Sequence, residues 1–305
     1  MKNSNLKGTL LLSVAALIWG LAFVAQSEAA EFVPPFTFNM LRSVIGAGVL
    51  YLFWLFSCKK DSKKFFPENP KDKKGYHACA LTCGICLSIA INFQQFGISA
   101  YPTGVASEAR AGFITALYVI LVPIFSCFLK KRVGLPVLLG VLIAVAGVYL
   151  LCFSKGFSGI YIGDALMFLC TIAFAVHIMA VDRFASEIGG VKLSIMQFCV
   201  AAVVSAVLAV VFEWEQISLA NILSAAPQIL YLGIMSSGVA YTLQIVGQKY
   251  AEPTVASITM SLESVFAALG GWLISGNSLS LRELLGCTLV FVAILVAQIP
   301  RKKCA

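Results

Sequence analysis

Apolar blocks of about 20 residues, separated by short polar segments, run along the whole chain. A membrane-spanning helix needs about 20 predominantly apolar residues, so this pattern predicts membrane-spanning helices rather than soluble elements. Proline ends helices, and Pro102 therefore divides one block that is too long for a single helix. The pattern predicts ten spans: residues 8–30, 36–57, 76–99, 104–129, 134–153, 161–182, 193–212, 226–248, 254–275 and 283–300.

The composition supports an all-α integral membrane protein. The 305 residues are 60% hydrophobic and only 12% charged, whereas soluble domains carry about 25% charged residues. So few charges cannot cover a soluble surface, which excludes a soluble enzyme, a disordered chain and a nucleic-acid-binding domain. Transmembrane barrels are also excluded, because their strands are short and alternate between apolar and polar positions.

The distribution of Lys and Arg predicts the orientation in the membrane. With the N-terminus inside, the inner segments hold 18 of the 22 basic residues, and the outer loops hold only Lys155 and Arg282. Cytoplasmic loops collect Lys and Arg, so both termini are expected in the cytoplasm. Seven lysines lie between Lys59 and Lys74. We interpret this segment as a cytoplasmic loop that signals topology, with binding of anionic lipid headgroups as the alternative.

The two halves of the chain, residues 1–153 and 154–305, resemble each other. Pro102-Thr103 followed by Val105-Ala106-Ser107 in the first half matches Pro253-Thr254 followed by Val255-Ala256-Ser257 in the second. Each half has five predicted spans, and an odd number makes the second half enter the membrane from the opposite side. Inverted repeats of this kind are frequent in secondary transporters, with the substrate site near the midplane between the halves.

The chain resembles the drug/metabolite transporter superfamily, in its EamA branch. The resemblance covers almost the whole chain and depends on the order of short motifs. These are Ala16 to Gly20 in span one, Gly112 to Tyr118 and Pro123 in span four, Gly163-Asp164 and Ala173 to His177 in span six, Ser261-Leu262-Glu263 in span nine and Gly286 in span ten. Two positions differ from the family pattern: Ser264 replaces a common proline, and Gly276-Asn277 replaces a Gly-Glu pair.

The resemblance implies two inverted five-helix repeats and a permease of the cytoplasmic membrane. Such a permease moves small metabolites, such as amino acids or related compounds, often outward. It implies a small-molecule substrate and the lipid bilayer as partners, and it implies no cofactor.

Glu263 is the leading candidate for a functional charge. It lies roughly 14 Å into span nine at a rise of about 1.5 Å per residue, near the midplane. A charge at this depth is costly and usually faces a cavity or a partner. We expect Glu263 to contact a substrate amine or to carry a proton, and the alternative is a protonated carboxyl group bonded to a backbone carbonyl. Trp19, also mid-membrane, is expected to line the cavity or simply to pack.

Three further charges lie about 6–9 Å below the predicted outer surface: Arg42, Glu108 and Arg110. Glu108 and Arg110 are two residues apart and point to different sides of their helix. We therefore predict an ion pair between Arg42 and Glu108 as a structural clamp or gate. The alternative is that Arg110 and Glu108 bind substrate. Arg110 would then attract an anionic group of the substrate. Asp164, at a helix end, is given no transport role.

Polar residues inside the spans are weaker candidates for substrate contacts. Asn92 and Gln95 share a face of span three, and Tyr241 and Gln244 share a face of span eight. Such faces either form hydrogen bonds between helices or line a wet path. His177 in span six is a candidate for proton handling, with a packed neutral imidazole as the alternative.

Two other function classes were weighed against a carrier. An intramembrane enzyme needs a convergent catalytic set, and the chain has no H-E-x-x-H motif, no Gly-x-Ser-x-Gly motif and no paired histidines. A channel more often shows rings of like charge or a filter loop. The Cys83/Cys86 pair has no second pair and no nearby histidine, so no metal site is predicted.

Overall fold

The fold is helical throughout the residues that the computed structural model describes. These are residues 2–57, 65–66, 70–102, 107–129, 133–152, 161–275, 280–297 and 299. No strand occurs in these ranges. Much of the lysine-rich segment, residues 59–64 and 67–69, lies outside them, as do Asn277 and the basic residues after position 300.

The described α-helices follow the predicted spans closely. They are α1 (Lys2–Ala30), α2 (Pro35–Ser57), α3 (Pro70–Ser99), α4 (Ser107–Ala116), α5 (Tyr118–Phe128), α6 (Leu135–Cys152), α7 (Ile162–Ile188), α8 (Gly190–Phe212), α9 (Leu219–Ser224), α10 (Ala226–Tyr231), α11 (Tyr241–Gln248), α12 (Pro253–Met260), α13 (Leu262–Ser275) and α14 (Leu281–Ala297). A π-helical segment, Leu232–Ala240, joins α10 to α11, and a 3₁₀ turn, Trp214–Gln216, follows α8.

The helices are those of a multi-pass membrane protein. Among the described residues, seven helical segments are long and apolar enough to cross a bilayer, and Leu135–Leu150 and Leu284–Ala297 are shorter apolar helices. Large apolar side chains point outward along them, including Phe56, Phe128 and Leu142. An apolar surface of this extent fits lipid, which takes the place of water around such helices.

Three of the predicted spans are interrupted rather than continuous. The fourth breaks at Leu117, where the Ile114 carbonyl accepts both the Leu117 N–H at 3.1 Å and the Thr171 hydroxyl of α7 at 2.8 Å. The ninth breaks at Ser261, whose own hydroxyl donates to the Ile258 carbonyl at 2.7 Å. A hydroxyl group thus bonds to a backbone carbonyl beside each of these two breaks. The eighth span contains the π-helical segment.

Helices from the two halves of the sequence pack against each other across the whole molecule. The most extensive pairs join α6 to α14, α3 to α7 and α2 to α8. The core is divided among several clusters of buried apolar side chains, and the largest draws on both halves, from Leu12 to Met260. The halves are therefore interleaved, and the space between them lies inside the bundle.

A buried carboxylate joins α2 to the end of α8. Glu213, only 4% exposed, accepts the backbone N–H groups of Phe36 and Thr37 at 2.9 and 2.8 Å and the Thr37 hydroxyl at 2.9 Å. These N–H groups belong to the first turn of α2, where they have no partner within the helix and where the helix dipole favours a negative charge. Glu213 thus caps α2 from another helix.

We expect Glu213→Gln to lower the melting temperature of the purified protein in detergent by several degrees. The charge-assisted hydrogen bonds to the α2 amides are weakened, which lowers the free energy of unfolding by about 1–3 kcal/mol. Glu215→Gln is the matched control, since Glu215 is exposed two residues later. Equal melting temperatures for the two variants would show that the cap contributes no stability.

Candidate functional site

A cavity lies inside the bundle, and its empty space of about 460 Å³ includes a part that is open to the surroundings. Its lining comes from both halves of the sequence. The lining residues are Trp19, Ala22, Phe23, Gln26, Arg42, Gln94, Thr115, Tyr118, Phe174, Ile178, Ser236, Tyr241, Gln244, Met260 and Glu263.

The interrupted helices supply much of this lining. Thr115 and Tyr118 flank the break at Leu117, and Met260 and Glu263 flank the break at Ser261. The π-helical segment contributes Ser236. Irregular helical backbone at membrane depth is tolerated where it lines a cavity, and π-helical segments are frequent at functional sites. The positions of the breaks therefore agree with a functional role for the cavity.

Glu263 lies in the cavity wall. Its side chain is 4% exposed, and the Tyr118 hydroxyl donates to its Oε1 at 2.9 Å. Tyr118 comes from the first half and Glu263 from the second. This hydrogen bond replaces the expected alternative of a bond to a backbone carbonyl. A carboxyl group here can accept a substrate amine or a proton.

Trp19, Tyr241 and Gln244 also line the cavity. The rings of Trp19 and Tyr241 meet edge to face, with centroids 4.8 Å apart. Among the described residues, the indole N–H of Trp19 and the Oε1 of Gln244 have no hydrogen-bond partner. These two side chains therefore offer a ligand one donor and one acceptor.

Arg42 is buried in the cavity wall, and the predicted ion pair with Glu108 is not formed. The Arg42 side chain is 1% exposed, and its Nη1 donates to Gln26 Oε1 at 3.4 Å. Its guanidinium also lies 5.9 Å from the centre of the Phe38 ring. Glu108 lies half-buried in the first turn of α4, outside the lining. Equal depth did not bring the two side chains to the same face.

Arg110 lies outside the lining and pairs with Asp164, a residue to which the sequence analysis gave no role. Arg110 Nη2 and Nε lie 2.6 and 3.0 Å from the two Asp164 oxygens. The Tyr101 hydroxyl and the Tyr161 N–H also donate to this carboxylate, at 2.9 Å each. Burial and the hydrogen bond to Asp164 raise the pKa of Tyr101 above its usual range, so its hydroxyl stays protonated. The cluster joins α4 of the first half to α7 of the second.

The remaining polar candidates form hydrogen bonds between helices rather than lining the cavity. Asn92 accepts from Asn39 at 2.9 Å and donates to Ser205 at 3.1 Å. Gln95 donates to the Gln26 carbonyl at 3.1 Å. His177 is fully buried, with its Nε2 3.0 Å from Gln197 Oε1. These side chains hold helices together behind the cavity wall.

Several lining residues were not singled out from the sequence. Gln94 lines the cavity where its neighbours Asn92 and Gln95 do not. Tyr118, the partner of Glu263, was present in a quoted motif but was given no role. The mid-membrane tyrosine was the available signal, because a buried tyrosine hydroxyl usually finds a hydrogen-bond partner.

Comparison with known proteins identifies the family. The EamA-like transporter family matches residues 6–153 and 161–298. The chain belongs to the EamA-like transporter family. It is therefore a multi-pass membrane transporter and not an enzyme.

Relatives cover nearly the full chain. Two uncharacterized transporters of Archaeoglobus fulgidus are 30% and 26% identical, over 94% and 95% of this chain and 84% and 98% of theirs. An uncharacterized transporter of Bacillus subtilis is 23% identical over 90% of both chains. One crystal structure matches with a TM-score of 0.75 at 23% identity, covering 96% of this chain and 96% of the other, which shows a shared fold.

A glycine next to Trp19 sets the position of Glu263. A Cβ atom on Gly20 of α1 would lie 2.7 Å from the Glu263 carbonyl oxygen and 2.7 Å from Phe266 Cβ. Only a residue without a side chain allows α1 and α13 to approach this closely. Gly48 of α2, in contrast, has no atom within 4 Å of such a Cβ.

We expect Gly20→Ala to push α1 away from α13, to displace Glu263 and to reduce transport by the EamA-family protein. Overpacking of this kind costs about 1–3 kcal/mol, so the melting temperature also falls. Gly48→Ala is the control and leaves both quantities near the wild-type values. Flux measurements in proteoliposomes and melting curves check the pair, and wild-type behaviour of Gly20→Ala would contradict the close-contact argument.

Proposed function

We propose that this transporter is a secondary carrier that moves small metabolites, such as amino acids or related compounds, by alternating access. The observation that carries the proposal is the cavity lined by both halves. Tyr118 of the first half and Glu263 of the second are hydrogen-bonded in its wall at 2.9 Å. Glu263 binds a substrate amine or carries a proton. The halves then rock around the cavity, opening it to one face of the membrane at a time.

We further propose an inverted repeat of two five-helix units, in which each interrupted helix crosses the membrane once. The separate family matches to residues 6–153 and 161–298 support two related halves. The packing pairs also exchange under the repeat. The α3–α7 contact corresponds to the α1–α11 contact, and the α1–α13 contact corresponds to the α7–α4 contact. Two related halves give inward-open and outward-open states of similar energy.

The ion pair between Arg110 and Asp164 is a natural closing contact in this scheme. It joins the two halves at the end of the bundle where α7 begins. When that end opens, the pair has to separate, and water then replaces the lost contacts. This role differs from the direct substrate contact that was first considered for Arg110.

The basic residues support an orientation in the membrane. With the ten predicted spans, eighteen of the 22 Lys and Arg fall in segments on the side of the two termini. We propose that both termini face the cytoplasm and that the protein resides in the cytoplasmic membrane. The end of the bundle that holds Asp164 then faces outward.

A carrier and a channel are distinguished by counterflow. Purified protein is first screened by melting temperature against the 20 standard amino acids, because a ligand raises stability by mass action. A stabilising amino acid is then loaded unlabelled into proteoliposomes, and uptake of the labelled form is followed. Saturable uptake that is accelerated by the internal amino acid supports a carrier, and unsaturable flux without acceleration contradicts it.

We expect Glu263→Gln to abolish transport or reduce it at least about 10-fold. The amide has no negative charge to bind a substrate amine, and it cannot take up and release a proton as a carboxyl group does. The protein still inserts, since the amide can accept the Tyr118 hydrogen bond. Glu252→Gln is the control, because Glu252 is exposed just before α12. Normal flux through the Glu263→Gln variant in proteoliposomes would remove the essential carboxyl group from the mechanism.

A further inference from the structure

Arg42 is a buried cation that pairs with no carboxylate among the residues the structure describes. Arg110 pairs with Asp164, whereas the Arg42 guanidinium makes a long hydrogen bond, 3.4 Å, to the neutral side-chain amide of Gln26. Its Nε has no hydrogen-bond partner in the described part of the chain. A charged side chain inside a membrane protein normally pairs, and a buried cation without a partner is strongly destabilising.

Arg42 and Glu263 line the same cavity without bonding to each other. Glu263 accepts instead from Tyr118. Both side chains are nearly inaccessible, at 1% and 4% exposure. The cavity therefore presents one positive and one negative group at separate places in its wall. A ligand carrying both charges neutralises both groups, whereas an amine or an acid alone leaves one of them unpaired.

The remaining wall combines apolar side chains with neutral polar ones. The large apolar side chains include Phe23, Phe174, Ile178 and Met260. Apolar surface of this kind favours an uncharged, apolar substituent on the ligand.

We propose that Arg42 binds the carboxylate of the substrate while Glu263 binds its ammonium group, so that the transported class is a zwitterion with an apolar side chain. The inference rests on the proposed carrier function and specifies its substrate. A guanidinium presents a planar fork of donors that matches a carboxylate.

The geometry also links binding to motion. Arg42 belongs to the first half of the chain and Glu263 to the second. A zwitterion held by both bridges the halves, whereas a single charge engages only one of them. A ligand shifts a conformational equilibrium only through different interactions with the two states, and a bridging ligand provides such a difference.

The test compares matched ligands on the wild-type protein. Leucine, methionine and phenylalanine are each measured beside the amine that lacks only the carboxylate and the acid that lacks only the amino group. We expect at least one amino acid to bind about 10- to 100-fold more tightly than either of its analogues, the range of one charge-assisted hydrogen-bonded pair. Binding is measured by ligand-induced shifts in melting temperature and by competition for counterflow.

Variants then assign the carboxylate to Arg42. Arg42→Gln is expected to weaken binding of the amino acid about 10- to 100-fold and to leave binding of the matching amine unchanged. Arg183→Gln, which alters an exposed arginine near the end of α7, is expected to leave both affinities unchanged. If Arg42→Gln does not fold, the wild-type ligand series still decides whether a carboxylate is required.

The outcomes separate this inference from the carrier proposal. Wild-type counterflow with equal affinity for an amino acid and its amine would overturn the role of Arg42 and leave the carrier intact. A second result would have the same meaning: the amine binds as tightly as the amino acid, but only when chloride is present. An inorganic anion would then occupy Arg42 in place of the substrate carboxylate. Absence of counterflow for any ligand that binds would instead overturn the carrier.

Discussion

Charge placed inside an apolar bundle has to be compensated, and this constraint organises the polar interior of the protein. Asp164 forms an ion pair with Arg110, and Glu213 accepts hydrogen bonds from the backbone amides at the start of α2. Both compensated groups lie near helix ends. The two charges in the cavity wall, Arg42 and Glu263, are held only by neutral partners, Gln26 and Tyr118. In the proposed mechanism these two cavity charges are compensated by a ligand or a proton.

The need to satisfy buried polar groups also applies to the backbone of the irregular helices. A continuous α-helix uses its backbone groups internally, and bending it at membrane depth requires other partners. Thr171 and Ser261 provide such partners at two of the interruptions. Tyr118 and Glu263, which follow these interruptions, are hydrogen-bonded to each other in the cavity wall. In this largely apolar bundle, irregular helical segments line the cavity, and hydroxyl groups bond to backbone carbonyls at two of them.

The fold was largely predictable from the sequence, whereas the azimuth of each side chain was not. Apolar block length set the ends of α2 and α8 to within a few residues, because the bilayer fixes the length of a span. The break at Leu117 escaped prediction because the Thr171 hydroxyl that contacts it belongs to a neighbouring helix. Depth correctly placed Glu263 in the interior. Depth alone wrongly paired Arg42 with Glu108, since residues at one level can lie on opposite faces of the bundle.

The central claim is that the two halves enclose one cavity that opens alternately to the two faces of the membrane. Spin-label distances test it most directly, in a cysteine-free variant that retains transport. One labelled pair joins exposed positions Glu31 and Ile162, between the end of α1 and the start of α7, and a second joins Leu6 and Arg183 at the opposite ends of these helices. The account predicts that a transported amino acid shifts the two distance distributions in opposite directions. Shifts in the same direction, or distributions that do not respond, would contradict it.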